Sequence, residues 1–183
     1  MLAFLAALVL AAATAAHPAR GTLVVTSADM HAGRTMKMDQ AFNGMGCTGA
    51  NRSPEVTWRG APRGTLSYAV TLYDPDAPTG SGWWHWVVYD IPASVTHLAT
   101  GAGATTGGSL PAGAVQGATD FGVAGYGGPC PPPGDKPHHY MLSVYALDVP
   151  TLDVPPNATA ALVGFNIHAH TLARGRITAL FGR

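Results

Sequence analysis

The sequence has 183 residues, of which only 11% are charged, and its ten basic and ten acidic side chains leave no net charge at neutral pH. Binding to nucleic acid needs a concentrated positive surface, and the sequence has no cluster of Lys or Arg, so nucleic acid is not predicted as a partner. With 23 Gly and 15 Pro residues, the chain is typical of a turn-rich protein with a compact core.

The N-terminal segment predicts export from the cytoplasm. Residues 1–16 are apolar, carry no charged side chain and end in small residues, as the cleavage sites of secretory signals do. A run of roughly 15 apolar residues is too short to span a bilayer comfortably. We therefore expect a signal peptide over 1–16, a single domain over 17–183, and a secreted or periplasmic protein without a transmembrane anchor.

Six segments are predicted as β-strands. Residues 23–26 and 56–58 form two short ones, and residues 67–73 have apolar side chains on both faces, which indicates a central strand covered on both sides. The other predicted strands are residues 83–89, 140–147 and 177–181. Between them, residues 101–137 are mostly Gly, Ala, Pro and Thr, and irregular segments of that length inside one domain are usually functional.

One helix is predicted near the C-terminus. Asn157 is expected to cap its start, and Gly175 to follow its end. The side chains expected to form its buried stripe are Leu162, Phe165, Ala169 and Leu172. Strands that come first, followed by a late helix, predict a mainly β fold of antiparallel sheets with one or two peripheral helices.

Several polar residues could carry chemistry. Asp74 and Asp76 lie in the segment DPDAP, 74–78, whose two prolines would hold both carboxylates rigidly at the end of the central strand. An ordinary turn with two solvated aspartates explains the same pattern.

Side-chain alternation along a strand assigns the histidines to faces. The expected faces of the strand 83–89 are Trp83, His85 and Val87 on one side, and Trp84, Trp86 and Val88 on the other. The same rule places His138 with Tyr140 and turns His139 the opposite way. A core histidine that is hydrogen-bonded to a backbone carbonyl is the alternative for His85.

The segment GYGGPCPPPG, 125–134, combines flexible and rigid residues. Its glycines permit close approach of the backbone, so the loop could aim free N–H groups at an anion, or it could be a crowded turn. Cys130 lies within it. In an oxidising compartment Cys130 could form a disulfide with Cys47, and two buried thiols are an equally acceptable reading.

Taken together, these segments resemble the phosphatidylethanolamine-binding protein family, most closely its bacterial branch, which is called Raf kinase inhibitor-like. The segments that carry the resemblance are FNGMGC at 42–47, NRSP at 51–54, Trp58, DPDAP at 74–78, WHWVV at 84–88, FG at 121–122, GGPCPPPG at 127–134 and HHY at 138–140. They cover nearly the whole chain after residue 16, and the combination is specific.

The resemblance implies a β-sandwich of two antiparallel sheets with Greek-key elements and a small pocket for phosphate-type anions or phospholipid head groups. The positions that match the family's ligand-binding residues are Asp74, Asp76, Trp83, His85, Gly128, Pro129, His138 and Tyr140. His139 stands where relatives often have Arg and is expected to face away from the pocket. Nothing after Arg183 corresponds to the helix that covers the pocket in eukaryotic relatives, so a more open site is expected.

These observations predict a non-catalytic protein that binds a small anion or a phospholipid head group, with a regulatory role and with neither a cofactor nor a metal. His85 and His138 are expected to become positively charged beside Asp74 and Asp76 and to hold the anion with the Tyr140 hydroxyl.

Two other functions stay open. The first is an inhibitor of a protease or kinase that acts through protein contacts, and the less favoured second is a metal-dependent hydrolase that uses the Asp and His side chains. The lack of an HExxH or GxSxG motif argues against the hydrolase. The sequence identifies no protein partner and leaves the oligomeric state open, a homodimer included.

Overall fold

The computed structural model describes residues 22–183, so the predicted signal peptide over 1–16 lies outside the described residues. The described part of the chain forms ten strands and one helix. In chain order they are β1 (Val24–Thr26), β2 (Asn43–Gly44), β3 (Cys47–Thr48), β4 (Val56–Arg59), β5 (Ser67–Asp74), β6 (Trp83–Pro92), β7 (His97–Leu98), β8 (Val115–Gln116), β9 (His138–Leu147), α1 (Ala160–Ala169) and β10 (Thr171–Phe181).

The strands form antiparallel sheets. A five-stranded sheet has the order β10-β9-β5-β6-β8, a three-stranded sheet has the order β1-β4-β7, and β2 and β3 make a small hairpin. The mainly β fold with antiparallel sheets and a peripheral helix is therefore confirmed. Within residues 22–183 no helix is long and apolar enough to cross a membrane.

The large sheet is covered on both faces. Its first face packs against the three-stranded sheet, and the buried side chains there include Trp58, Val70, Leu72, Trp86 and Val144. Its second face packs against α1, and the buried side chains there include Ala69, Val87, Leu147, Val163 and Ile167. Strand β5 lies at the centre of the sheet, which confirms the prediction of a central strand covered on both sides.

The helix differs from the prediction at its start. Its N-cap is Thr159, whose hydroxyl accepts a hydrogen bond of 3.2 Å from the Leu162 backbone N–H. Asn157 lies two residues earlier in an exposed turn, so the capping role predicted for it was wrong. Thr159 takes that role because its extended backbone directs the hydroxyl at the free N–H groups of the first turn.

The buried face of the helix also differs. The buried side chains of α1 are Ala160, Val163 and Ile167, whereas Leu162 is exposed and 73% of Phe165 is accessible to solvent. Leu172 and Gly175 belong to β10, because the chain leaves the helix at His170 and pairs with β9 from Thr171 onward. At Gly175 a Cβ atom would come within 2.4 Å of the Leu23 carbonyl oxygen, so Gly175 serves close packing of β1 against β10 and does not end the helix.

The irregular segment 101–137 is anchored to the sheets by backbone hydrogen bonds. The Gly117 N–H donates to the Val87 carbonyl at 2.9 Å, and the Gly127 N–H donates to the His85 carbonyl at 2.9 Å. A disulfide between Cys47 and Cys130 ties this segment to the β2–β3 hairpin. The segment is therefore held against the same end of the large sheet at which β5 ends and β6 and β9 begin.

Candidate functional site

A cavity of about 200 Å³ opens at this end of the large sheet. Five of the eight residues that the sequence predicted for ligand binding line it: Asp74, Trp83, His85, His138 and Tyr140. They come from the last residue of β5, the start of β6 and the start of β9, which neighbour one another in the sheet. The other three predicted residues, Asp76, Gly128 and Pro129, do not line the cavity.

A β-bulge aims His85 into the cavity. Leu72 pairs with Trp86 and Tyr73 pairs with Trp84, so His85 is an extra residue without a partner on β5. Two consecutive residues at such a bulge project to the same side of the sheet. His85 lines the cavity and Trp86 enters the core on that same face, while Val87 packs on the helix side.

The predicted faces of this strand were therefore wrong beyond the bulge. Strict alternation placed Val87 with His85 and placed Trp86 with Trp84, and the extra residue reverses both assignments. Bulges often occur beside functional sites, where they redirect a side chain that simple pleating would send elsewhere.

His138 is held by a buried ion pair. Its Nδ1–H donates to the Asp74 Oδ2 at 2.8 Å, and its Nε2 lies 3.4 Å from Oδ2 of Asp135 at the protein surface. Burial lowers the pKa of His138, but the hydrogen bond and the charge of Asp74 outweigh burial and raise this pKa above its usual value. His138 therefore binds a proton more readily than an ordinary histidine does.

Asp76 has a different role from the one predicted. Its Oδ2 accepts hydrogen bonds of 2.7 Å from both the backbone N–H and the ring Nδ1–H of His139, on the outer side of the strand. These bonds outweigh partial burial and lower the pKa of Asp76. The Asp76 backbone N–H donates to the Asp74 Oδ1 at 2.8 Å, so Asp76 positions the Asp74 carboxylate from behind. His139 faces away from the cavity, as expected.

His85 is neutral, contrary to the expectation that it becomes positively charged. It is buried, and its Nδ1–H donates to the Gly127 carbonyl at 2.7 Å. Burial lowers its pKa to about 4, although the hydrogen bond to Gly127 and the charge of Asp74 act in the other direction. Because Nδ1 holds the proton, Nε2 of the neutral ring is a hydrogen-bond acceptor.

Two polar atoms beside the cavity have no hydrogen-bond partner. The Tyr140 hydroxyl and the Trp83 Nε1–H are both buried, and neither meets an acceptor within hydrogen-bonding geometry. Burial raises the pKa of Tyr140, and the charge and closeness of the Asp74 carboxylate raise it further, so the hydroxyl keeps its proton and remains a donor. Its contact with Asp74 falls short of a well-formed hydrogen bond. Buried donors without partners are uncommon in folded proteins, and at a cavity they indicate a place for a ligand.

Part of the backbone of the glycine-rich loop is engaged in hydrogen bonds within the protein. The Gly128 N–H donates to the Asn51 side chain at 2.7 Å, and the Pro129 carbonyl accepts a bond of 3.0 Å from the Phe42 N–H. A Cβ atom on Gly128 would lie 2.0 Å from the Gln40 carbonyl oxygen, so glycine is needed for close packing. At Gly128 the loop is therefore a crowded turn whose N–H is not available to a ligand.

The cavity has an apolar wall that the sequence did not reveal. Phe121 lies at its centre, with ring centroids 5.4 Å from Trp83 and 5.5 Å from His85. Met45 and Pro131 complete the wall near the mouth. Phe121 and Met45 belong to the segments FG at 121–122 and FNGMGC at 42–47, which carried the family resemblance, but neither residue was predicted to line the site.

The cavity therefore combines a polar floor with an apolar wall. Its floor has an acceptor in His85, a carboxylate in Asp74, the readily protonated ring of His138, and the hydroxyl and indole donors of Tyr140 and Trp83. Among residues 22–183, no three His, Cys, Asp or Glu side chains lie together in a geometry that could hold a metal ion. This set can bind an anion by hydrogen bonds and charge, and it can accept a proton that the anion carries.

Comparison with known proteins supports a common origin for this architecture. The family model for phosphatidylethanolamine-binding proteins matches residues 26–182. YbcL, a protein of Escherichia coli K12, is 53% identical over 157 residues, which are 86% of this chain and 86% of YbcL. YbhB of the same organism is 48% identical over 155 residues, which are 85% of this chain and 97% of YbhB.

Solved structures show the same fold. The crystal structure of E. coli YbcL, described as a new member of the mammalian PEBP family, superposes with a TM-score of 0.86 at 52% identity and covers 88% of this chain and 98% of that one. A homologue from Chlamydia trachomatis, CT736, superposes with a TM-score of 0.73 at 28% identity and covers 89% of this chain and 99% of that one.

Proposed function

Because the chain belongs to the phosphatidylethanolamine-binding protein family, we propose that it binds a phosphate-type anion, free or as the head group of a phospholipid, in the cavity between Asp74 and Phe121. The observation that carries the proposal is the set of polar groups at the cavity floor. The Tyr140 hydroxyl and the Trp83 indole are buried without partners beside the His138–Asp74 pair. An anion would supply acceptors for both donors.

The charges at the floor decide when an anion binds. While His138 is protonated, its charge balances that of Asp74, and the anion meets donors without net repulsion. When His138 loses its proton, the Asp74 carboxylate is unbalanced and repels the anion across a site of low dielectric constant. Because the pKa of His138 is raised, binding should weaken as the pH rises through a value above that of an ordinary histidine.

The test is a calorimetric titration with dimethyl phosphate, whose single negative charge does not change over the range used. The affinity should fall by about tenfold between about pH 5.5 and about pH 8.5. A His138→Gln variant should bind more weakly than the wild type at the lower pH and should lose most of the pH dependence. If the wild-type affinity were the same at both pH values, or if no binding occurred, the proposal would be wrong.

We propose that the protein is not an enzyme. Both cysteines are joined in the disulfide, so neither is a thiolate nucleophile. No Ser in the described part of the chain lines the cavity to serve as a nucleophile, and the raised pKa of Tyr140 keeps its hydroxyl protonated. Hydrolysis of 4-nitrophenyl phosphate that is abolished by His138→Gln would overturn this proposal.

We also propose that the protein is exported. The disulfide agrees with an oxidising compartment, in which such bonds persist. Fractionation of the native host, followed by mass spectrometry of the intact protein, should find a mature chain that starts near residue 17. A cytoplasmic, full-length chain would contradict it.

A further inference from the structure

Met45 occupies an unusual place at the mouth of the cavity. It lines the cavity, yet 67% of the residue is accessible to solvent. Burial of apolar side chains stabilises a protein, so an exposed Met at a cavity mouth contributes little to the stability of the free protein. Its apolar surface is available to a bound molecule.

The turn itself does not explain a methionine at this position. Met45 and Gly46 are the two loop residues of the β2–β3 hairpin, whose last pair is Gly44 and Cys47. Both loop residues have positive φ angles, 50° for Met45 and 82° for Gly46, as type I′ turns require. Asn, Asp or Gly suits the first position of such a turn, whereas Met has a Cβ atom and no polar group to offset the cost. Its side chain therefore has a purpose other than forming the turn.

Two tethers fix the backbone of this hairpin to the opposite side of the mouth. The first is the disulfide, which joins Cys47 to Cys130, itself a residue of the cavity wall. The Cys130 sulfur lies 3.6 Å from the Met45 carbonyl oxygen, a packing contact because a bonded sulfur has no proton to donate.

The second tether is the Arg183 guanidinium. It donates to the Met45 carbonyl at 3.3 Å, to the Gly46 carbonyl at 3.0 Å and to the Pro131 carbonyl at 2.7 Å. The backbone at Met45 is thus held firmly, while its thioether side chain can change rotamer over the opening. A flexible, polarisable side chain on a rigid support suits contact with apolar groups of varied shape.

We propose that Met45 determines ligand specificity by packing on an apolar substituent of the bound anion, so that the preferred ligand class is an anionic ester with an apolar chain. This inference rests on the proposed function, because it needs the anionic group to occupy the polar floor. The substituent then passes the wall formed by Phe121 and Pro131 and reaches Met45 at the mouth.

The test compares two probes that share a head group, methyl phosphate and hexyl phosphate, by calorimetry at one pH. The wild type should bind hexyl phosphate about tenfold more tightly, a difference of about 1.4 kcal/mol. Met45→Ala should remove most of this preference by weakening the binding of hexyl phosphate much more than that of methyl phosphate, and the variant keeps an L-residue in the turn. Met45→Leu should restore the preference. Met38→Ala, which shortens another exposed methionine that does not line the cavity, should behave as the wild type.

The outcomes separate this inference from the proposed function. If the wild type bound neither probe, the proposed function would fail and this inference with it. If it bound both probes equally, or if Met45→Ala kept the full preference for hexyl phosphate, the role of Met45 would be refuted while anion binding stood. Retained binding of methyl phosphate by Met45→Ala also shows that the variant is folded. Arg183→Ala, which releases one tether and keeps Met45, should reduce the preference in part.

Discussion

Replacing Tyr140 by Phe removes one buried hydroxyl and keeps the aromatic ring in place. The residue is 0% exposed, and its hydroxyl has no hydrogen-bond partner in the free protein. A buried polar group without a partner costs about 1–3 kcal/mol of stability. Tyr140→Phe should therefore raise the free energy of unfolding by about 1 kcal/mol, which for a protein of this size shifts the melting temperature upward by about 2–4 °C.

The same substitution should weaken ligand binding. A hydrogen bond to a charged acceptor contributes about 1.5–3 kcal/mol, so the loss of this donor should reduce the affinity for dimethyl phosphate by about tenfold or more. Urea denaturation followed by circular dichroism measures the first effect, and calorimetry measures the second. The two effects have opposite signs because the hydroxyl lacks an acceptor until the anion supplies one.

Tyr126→Phe is the matched control. Tyr126 is as deeply buried as Tyr140, but its hydroxyl donates to the Gln40 carbonyl at 2.8 Å and does not line the cavity. Its removal should lower the free energy of unfolding by about 1 kcal/mol and leave the affinity unchanged. If Tyr140→Phe were destabilising to the same extent as Tyr126→Phe, the Tyr140 hydroxyl would have a partner in the free protein, and the reasoning would be refuted.

Three further changes probe the floor of the site and the packing behind it. Asp74→Asn removes the charge that raises the pKa of His138, so an NMR titration should show His138 losing its proton at a lower pH than in the wild type; an unchanged midpoint would contradict the assignment. The pKa of His85 is lowered to about 4 in the folded protein, whereas an unfolded histidine titrates near 6.5, so the unfolded chain binds the proton first as the pH falls. The contribution of His85 to stability is present above about pH 6.5 and should be lost between there and about pH 4. Urea denaturation of a His138→Gln variant measures this loss and removes the contribution of the second histidine of the cavity. Gly128→Ala places a Cβ atom 2.0 Å from the Gln40 carbonyl oxygen, so the free energy of unfolding should fall by about 3 kcal/mol or more, and a loss below about 1 kcal/mol would show that the backbone yields easily.

The strands could be predicted because the pattern of apolar residues within each segment indicates which side chains are buried. Residues 67–73 are buried along almost their whole length, and an uninterrupted apolar run has few other interpretations. The prediction of β10 failed at its N-terminal half, since Arg174 and Arg176 point to solvent there. β10 lies at the edge of the sheet, where backbone pairing with β9 holds the strand without an apolar pattern.

The face of the helix could not be predicted because its sequence is apolar on more than one side. Ala160, Val163 and Ile167 follow the same spacing as Leu162 and Phe165, so periodicity alone offers two stripes. The sheet determines which stripe is buried, because its surface at Ala69 and Val87 packs against the stripe of Ala160, Val163 and Ile167. That surface is built by residues distant in the chain, so no local pattern contains it.

The site was predictable to the extent that it depends on strand ends. Asp74, Trp83 and His138 lie at the termini of neighbouring strands, and that arrangement follows from the order of the motifs. Gly128 and Asp76 do not line the cavity, and their hydrogen-bonding groups are engaged by Asn51 and His139. A motif shows which hydrogen-bonding groups are present in the sequence. Which of these groups remain available to a ligand depends on the residues that the fold brings next to them.

The bulge on β6 links the site to the core. His85 and Trp86 point to the same side of the sheet, so the strand places one side chain in the cavity and the next in the core beneath it. Trp86 is fully buried and its ring meets that of Tyr126 at a centroid distance of 6.0 Å, which fixes the register of β6 after the bulge. Without the extra residue, a strand that kept Trp86 in the core would turn His85 to the helix side, away from Asp74 and His138. The packing of Trp86 in the core, together with the bulge, therefore directs His85 to the cavity floor. The same five residues, 83–87, contribute to both the core and the site.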